Sequence, residues 1–306
     1  MISNNNGSVC IIILNWNSYE VIRECIISIM NSRSVNYRII VVDNGSKDDS
    51  LSKLRRDFPE IDFIESSINS GFAGGNNLGI RFAIRNYSPD YFLLLNNDTI
   101  VHEDFLGKML KRAFGDKNIG CVVPKIYFFD KTDYLYYAGG KIGCLSGLGK
   151  HYGRKKKDSE NYNKTKEVSF ANGCCMLLSC SILSAVGGFD EDYFAVQEDV
   201  DLSLRIRKKG FKIIYEPEAK IWHKLSYSSN NNKGSWFVYY LGARNLILFQ
   251  KKHKKGFFFI ISVLYVTFRW TLYNIIKNMV LGNYLISKKI IMGYADGLKN
   301  RLRFIE

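Results

Sequence analysis

Three polar clusters stand directly after short apolar runs: Asn15-Trp16-Asn17, Asp43-Asn44-Gly45-Ser46 and Asn96-Asn97-Asp98. Singly, each reads as a turn, because Asn, Asp and Gly are common turn formers. Three at the strand ends of one α/β sheet read as a ligand site, since ligands bind outside the carboxyl ends of such strands. Asn96 and Asp98 set an amide oxygen and a carboxylate at the first and third positions of one strand end. That pair suits a hard divalent cation that keeps several waters and bridges substrate phosphates. The alternative is a cap for the helix that starts near Glu103. Asp43 can accept a hydrogen bond from a nucleobase imide, or cap its own loop.

A glycine-rich segment, residues 69–79, carries glycines at 71, 74, 75 and 79. The spacing misses GxGxxG and follows the third strand instead of the first, which excludes the dinucleotide fingerprint. These glycines allow backbone amides to approach a ligand or a neighbouring strand. Gln197-Glu198-Asp199-Val200-Asp201 opens a helix. Asp201 and Arg205, four apart, form a structural pair. Glu198 and Asp199 sit in the first turn, where the helix dipole favours carboxylates. A carboxylate there serves as a general base if it reaches a hydroxyl, and is otherwise a charged helix start. His223, beside Trp222, is a metal or diphosphate ligand or a satisfied structural histidine. Cys174 and Cys175, with Cys180 nearby, fit no zinc template and read as small buried residues.

The elements that must position these residues follow from hydrophobic pattern. Apolar runs at 9–14, 38–42, 61–64 and 91–95 alternate with helical patterns at 18–30, 48–58 and 71–86. Ser18 stands at a cap position, and apolar residues in 18–30 recur at helical spacing. Four strands separated by helices imply βαβ units and a parallel sheet. After Gly120 the rhythm changes: strand-like pieces at 120–129 and 168–178 flank a basic stretch, 149–166, expected to be a mobile loop. A helix at 198–209 ends before Gly210, a strand follows at 211–215, and residues from 235 onward read as helix.

The chain has 306 residues, 46% of them hydrophobic and 24% charged, which excludes disorder and collagen-like repeats. Seven cysteines without a CxxC pair point to a reducing compartment, and residues 1–8 show no secretory leader. The formal net charge is +14. Residues 251–306 hold eleven Lys and Arg against two acidic residues, interleaved with aromatic and aliphatic runs. A nucleic-acid module interleaves basic and aromatic residues on a sheet face, so this pattern favours an anionic membrane surface. The uninterrupted apolar stretch, 256–268, is thirteen residues, short of the ~20 that span a bilayer. In-plane amphipathic helices are expected, with packing on the catalytic domain or on a second copy as the alternative.

Six stretches in order carry a resemblance: Ile12-Ile13-Leu14-Asn15-Trp16-Asn17, Val41-Val42-Asp43-Asn44-Gly45-Ser46, Asn69 to Asn77, Leu94-Leu95-Asn96-Asn97-Asp98, Gly187-Gly188-Phe189-Asp190-Glu191 and Glu198-Asp199-Val200-Asp201-Leu202. Together they resemble glycosyltransferase family 2 in its rhamnosyltransferase-like branch, over roughly residues 9–250. The resemblance implies an α/β GT-A fold: a mostly parallel, Rossmann-like sheet flanked by helices, with a C-terminal helical appendage. It places a GT-A domain at 1–234, with a nucleotide-sugar half at 9–98 and an acceptor half at 99–234, and a tail at 235–306. It implies Asn15, Asn17, Asp43, Asn69, Gly74, Asn76, Asn96 and Asn97 around the nucleotide. Asp98, Asn96 and His223 would hold Mg²⁺ or Mn²⁺, although Asn96 replaces the Asp that many members carry first. Glu198, Gly173 and Arg244, the last within Gly242-Ala243-Arg244-Asn245, would meet acceptor or diphosphate, and Asp199 would be the catalytic base. The implied partners are a dTDP or UDP sugar and a lipid-linked saccharide, at the cytoplasmic face of the cell membrane.

Overall fold

The computed structural model describes residues 7–32, 36–225 and 234–302. Most of the N-terminal segment read as lacking a leader lies outside that range, as do Arg303 and Glu306 of the tail.

The first half contains β1 (Val9–Asn15), α1 (Tyr19–Met30), β2 (Tyr37–Asn44), α2 (Ser50–Asp57), β3 (Asp62–Ser66), α3 (Gly71–Tyr87) and β4 (Tyr91–Leu95). β1 runs parallel to β2 and β4, and β2 parallel to β3. Ile11, Ile12, Ile13, Leu93 and Leu94 are fully buried, which is why these strands read as unbroken apolar runs. α1 buries Val21, Ile22, Cys25, Ile26 and Ile29, the face its spacing marks out. Each such side chain stabilises the fold by roughly 1.5–3 kcal/mol.

The second half adds β5 (Thr99–Val101), α4 (Phe105–Phe114), β6 (Ile119–Phe128), β7 (Leu135–Tyr137), β8 (Gly140–Ile142), β9 (Gly149–His151), β10 (Lys166–Val168), β11 (Cys175–Ser179), α5 (Cys180–Val186), α6 (Glu198–Lys208) and β12 (Lys212–His223). β11 inserts antiparallel between β4 and β6, and β6 runs parallel to β12. The main path of the sheet is therefore β3-β2-β1-β4-β11-β6-β12-β10.

Several elements depart from the sequence reading. Residues 149–166 are not a mobile loop. β9 pairs with β8, Tyr134 bridges Lys157, and the fully buried Lys125 donates to both Asp158 oxygens at 2.9 and 3.0 Å and to Asn163. Composition alone does not separate a solvated basic loop from one held by charge-assisted bonds to a buried lysine. Asp98 does not cap α4: Asp104 occupies that position, and β5 intervenes. The strand expected at 168–178 is divided, and its middle, 169–174, is a connection that carries Gly173 and Cys174 to the sheet edge. β12 continues past residue 215 to His223, so the histidine ends a strand.

At the C-terminus lie α7 (Gly234–His253), α8 (Gly256–Val280) and α9 (Tyr284–Lys299). α7 packs into the main core. Leu248 and Phe249 join the main core, so the boundary drawn at 234 cuts ahead of a core helix. α9 packs against α7 backbone to backbone: a Cβ on Gly293 would lie 2.2 Å from Tyr240 O. The thirteen-residue apolar stretch is only the start of α8, which continues through Arg269 and a π-helical segment, Thr267–Leu272. A charge interrupts an apolar window but not an α-helix, and a long Arg stem covers apolar surface while its head stays wet. By length and composition α8 can cross a bilayer.

Candidate active site

Asn15 ends β1 directly beside Asp43 of β2 in the parallel register. Its amide nitrogen donates to Asp43 Oδ1 at 2.7 Å and to Ser50 Oγ at 2.8 Å, and the side chain is fully buried. Asn15 therefore orients Asp43 and is not itself presented to a nucleotide. Asp43 also accepts from Ser46 N at 3.1 Å and Ser46 Oγ at 2.6 Å, so the loop-capping role is realised. Asn17, at φ +50°, accepts from Lys47 N at 2.7 Å and ties the first cluster to the second. The third cluster joins through Asn97 Nδ2, which donates to Ser18 Oγ at 2.8 Å. Ser18 occupies the cap of α1 without making a cap bond, because its hydroxyl serves this link.

The glycine-rich segment is mainly architectural. Asn69 Oδ1 accepts from Gly71 N at 2.8 Å, and Asn76, expected at the nucleotide, is buried and donates to Phe72 O within its own helix. Gly74 makes room for Ser70, whose Cβ would lie 2.7 Å from an added Cβ. Gly188 explains the Gly187-Gly188-Phe189 stretch: Asn77 Oδ1 would stand 2.3 Å from a Cβ there.

Asp98, Cys174, Tyr136 and His223 meet where β4, β7, β11 and β12 end. His223 Nε2 lies 2.9 Å from Asp98 Oδ1, both side chains being buried. Asp98 Oδ1, and His223 Nδ1 on the other side of the ring, have no hydrogen-bond partner among the described residues. Burial opposes a charged imidazole, but the Cys174 sulfur and the Asp98 carboxylate together raise His223 to about 10. Asn96, partly exposed, is fixed through its main chain, which donates to Cys174 O at 2.9 Å.

The next residue along, Gly173, donates its amide to Asp199 Oδ2 at 2.9 Å. That amide, expected at diphosphate or acceptor, is spent on the carboxylate. Asp199 Oδ1 accepts from Val200 N at 2.8 Å. Burial raises Asp199 to about 6 against the lowering effect of these two amides. The buried Glu198 is pushed well above the carboxylate range by desolvation and by Asp199, and its Oε2 has no described partner. Tyr136 joins the group. Its ring stands 5.0 Å from that of His223, and burial above all, with Cys174, Asp199 and Asp98 adding to it and Arg154 opposing, raises its hydroxyl to about 12. Asp199 is thus tied through Gly173 and Cys174 to the end of β4, where Asp98 and His223 stand with Tyr136 against the His223 ring.

Two residues that sequence reasoning missed stand beside Tyr136. Arg154 lies 5.1 Å over its ring, and His151, held near 4 by burial, packs edge-on at 5.1 Å. Both come from the segment read as a loop; alternation of tyrosines at 134 and 136 before Gly139-Gly140 is the only signal of the hairpin that carries them. Arg244 is placed differently from expectation. Its guanidinium is buried and donates to Arg301 O, Asp192 O and Asn245 Oδ1, each at 2.6 Å, so it holds helices together and is not presented to the cleft. Asp201 and Arg205 pair at 2.7 Å, as their spacing indicates, with His253 of α7 as a third member.

Glycosyl transferase family 2 matches residues 10–187, more than half of the chain, and the protein belongs to that family. Rhamnosyltransferase WbbL of Escherichia coli (strain K12) is 28% identical over 234 residues, covering 74% of this chain and 85% of its own. An N-acetylglucosaminyl-diphospho-decaprenol L-rhamnosyltransferase of Mycobacterium tuberculosis is 24% identical, covering 68% and 73%. The low-salt glycan biosynthesis hexosyltransferase Agl10 of Haloferax volcanii is 24% identical over 95% of this chain and 91% of its own. Among solved structures, the mannosyltransferase PcManGT of Pyrobaculum calidifontis, in complex with GDP-Man and Mn²⁺, superposes with a TM-score of 0.60 at 14% identity over 98% and 89% of the two chains. GalNAc-T7, with UDP, GalNAc and Mn²⁺, gives 0.61 at 13% identity, and this chain spans 58% of its length. The fold is GT-A.

Proposed function

We propose that the protein transfers L-rhamnose, with inversion, from a dTDP-sugar to a hydroxyl of a polyprenyl-diphosphate-linked saccharide in surface polysaccharide assembly. The observation that carries this reading is the connected set at one sheet edge: Asp199 on the Gly173 amide, Cys174 on the Asn96 amide, and Asp98 beside His223, at the edge where Asn15 fixes Asp43. Similarity to WbbL and to the decaprenol-linked rhamnosyltransferase supports the sugar and the acceptor class.

The residues present fit a divalent cation. A carboxylate oxygen, Asp98 Oδ1, which has no hydrogen-bond partner among the described residues, and an imidazole nitrogen, His223 Nε2, converge at 2.9 Å, and among the described residues no third His, Cys, Asp or Glu closes a cage around them. Such an incomplete set suits Mg²⁺ or Mn²⁺, which keeps waters and takes its remaining ligands from phosphate oxygens. When bound, the cation supplies charge neutralisation for the leaving diphosphate. Asp98 and His223 would hold the cation, with Asn96 two residues before Asp98.

Asp199 takes the proton from the acceptor hydroxyl as its oxygen attacks the anomeric carbon and the bond to the diphosphate oxygen breaks. A carboxylate near 6 is mostly ionised at neutral pH, yet basic enough to assist. The Gly173 and Val200 amides keep it aimed. Arg154, on the Tyr136 ring, offers a cation to the diphosphate of donor or acceptor. The exposed Phe257, Phe258, Ile260, Leu264 and Phe268 of α8, with the basic residues around them, support an in-plane seat on an anionic inner leaflet, where lipid-linked acceptors reside.

A thermal-shift panel of nucleoside diphosphate sugars, with and without Mn²⁺, tests the donor, because selective binding stabilises the folded state by mass action. dTDP-rhamnose is expected to give the largest shift. Preference for a UDP-galactose, UDP-galactofuranose or UDP-glucose donor would replace rhamnose while keeping the class, and stabilisation by NAD alone would overturn it.

A further inference from the structure

Glu198 and Asp199 are reached through backbone that L-residues avoid. Phe194 has φ +63° and ψ −67°, and Ala195 N donates to Tyr193 O at 2.7 Å, which is a γ-turn of the rare, strained hand. Val196 follows at φ +69° and Gln197 at φ +79°. A β-branched residue at positive φ is an outlier. Such a run persists only where the surroundings over-determine it, and it ends one residue before the acidic pair.

The restraint comes from the C-terminal helix. Asn245 of α7 is fully buried, and the two N–H groups of its Nδ2 are shared among three carbonyls of this one segment: Tyr193 O at 2.9 Å, Ala195 O at 2.8 Å and Val196 O at 2.7 Å. Three acceptors on one side require the NH₂ there, and Arg244, donating to Asn245 Oδ1 at 2.6 Å, holds the amide in that orientation. Two further bonds tether the segment. Gln197 Nε2 donates to Gly147 O at 3.0 Å, and Phe194 O accepts from Ala73 N at 3.0 Å. The segment is thereby suspended between the glycine-rich start of α3 and the middle of α7.

We propose that Asn245 is a positioning residue for the transfer reaction, holding residues 193–197 in their strained form so that Asp199 stands over Gly173 and faces the cleft. The proposal rests on Asp199 being the base. Without the amide, Ala195 O and Val196 O lose this donor while Tyr193 O keeps only the Ala195 N–H, residues 194 and 196 relax toward negative φ, and the first turn of α6 moves with them. Asp43, Asp98 and His223 stand on other elements and keep their places, so donor binding is spared. A displacement on the order of 1 Å at a reacting group costs about 10²-fold in rate.

The test uses the full chain as wild type, Asn245→Ala, Asn245→Ala with Val196→Gly, Gln197→Ala and Asp199→Asn. Turnover is measured with the nucleotide sugar the panel selects, and affinity for dTDP and UDP with Mn²⁺ by calorimetry. Asn245→Ala is expected to lower kcat by about 10–100-fold while nucleotide affinity and donor KM stay within about twofold. Adding Val196→Gly is expected to recover about tenfold, because glycine takes positive φ without strain and needs no restraint. Gln197→Ala, which cuts the separate tether to Gly147, is expected to show the same split and stands in if Asn245→Ala fails to fold. An unchanged kcat overturns the proposal. So does a fall in kcat matched by an equal loss of nucleotide affinity with no recovery on adding glycine, which marks a purely structural asparagine. Near-normal turnover in Asp199→Asn removes the base itself, and is distinguished from failure of the positioning role by that variant alone.

Discussion

Asp199→Asn keeps the shape of the side chain and removes both its charge and its basicity. Loss of general-base assistance lowers kcat by about 10²–10⁴-fold. Stability moves the other way, and with a pH signature. Burial raises the folded-state value from 3.8 to about 6, so the fold favours the protonated acid. The stability this confers is fully present below 3.8 and is lost as pH rises through about 6; above that, the carboxylate is a cost. About two pKa units correspond to about 3 kcal/mol as a ceiling. Asparagine offers one acceptor oxygen where aspartate offers two, so either Gly173 N–H or Val200 N–H loses its partner, at a cost of about 1 kcal/mol or somewhat more. The net gain at neutral pH is about 1–2 kcal/mol, or roughly 2–6 °C in melting temperature for a chain of this size. Melting curves at pH about 7.5 and about 4 on both proteins, beside turnover at neutral pH, provide the assay. A melting difference that is the same at both pH values, or turnover within tenfold of wild type, would refute the reasoning.

Asp98→Ala is expected to abolish the extra stabilisation that Mn²⁺ confers on the dTDP or UDP complex, worth about 2.7 kcal/mol at a hundredfold excess over Kd; an undiminished Mn²⁺ effect in a thermal-shift assay would remove Asp98 from the cation site. Lys125→Ala leaves Asp158 and Tyr127 without their buried cation and should destabilise by about 3–5 kcal/mol, whereas Lys125→Met with Asp158→Leu, which removes both charges, should cost distinctly less, read from urea melts. Gly71→Ala meets both a φ of +73° and Phe194 O at 2.4 Å, and is expected to destabilise by about 1–3 kcal/mol in the same melts. Phe257→Ser with Phe268→Ser should reduce sedimentation with anionic vesicles, and wild-type protein should be released by alkaline carbonate; retention after carbonate would show that α8 spans the bilayer instead of lying along it.

Periodicity made the first half of the fold legible. β1 to β4 and the helices between them are local patterns, with apolar runs for strands buried on both faces and three-and-four spacing for α1. The positions of Asp98 just past a strand end and of Asp199 at a helix start were legible because both are local signals. Arg244 and Asn76 show where that logic fails. An amide or guanidinium in a polar motif looks the same in sequence whether it faces a ligand or is consumed by buried carbonyls, and only the packing of α7 and α3 reveals the second. Tyr136, Arg154 and His151 were invisible for a related reason. Their hairpin is stabilised by Lys125, Asp158 and Asn163, contacts separated by more than thirty residues that no window along the chain contains.

Residue order by itself determined which segments of the first half become strand or helix, which polar clusters end strands, and that the tail is basic and apolar, because each depends on neighbours within a few positions. Tertiary structure alone decided that Asn15 serves Asp43, that Gly173 serves Asp199, and that α7 belongs to the catalytic body. Those outcomes depend on which hydrogen-bonding groups are brought within 3 Å after the chain closes, and closure brings together residues that the sequence keeps far apart.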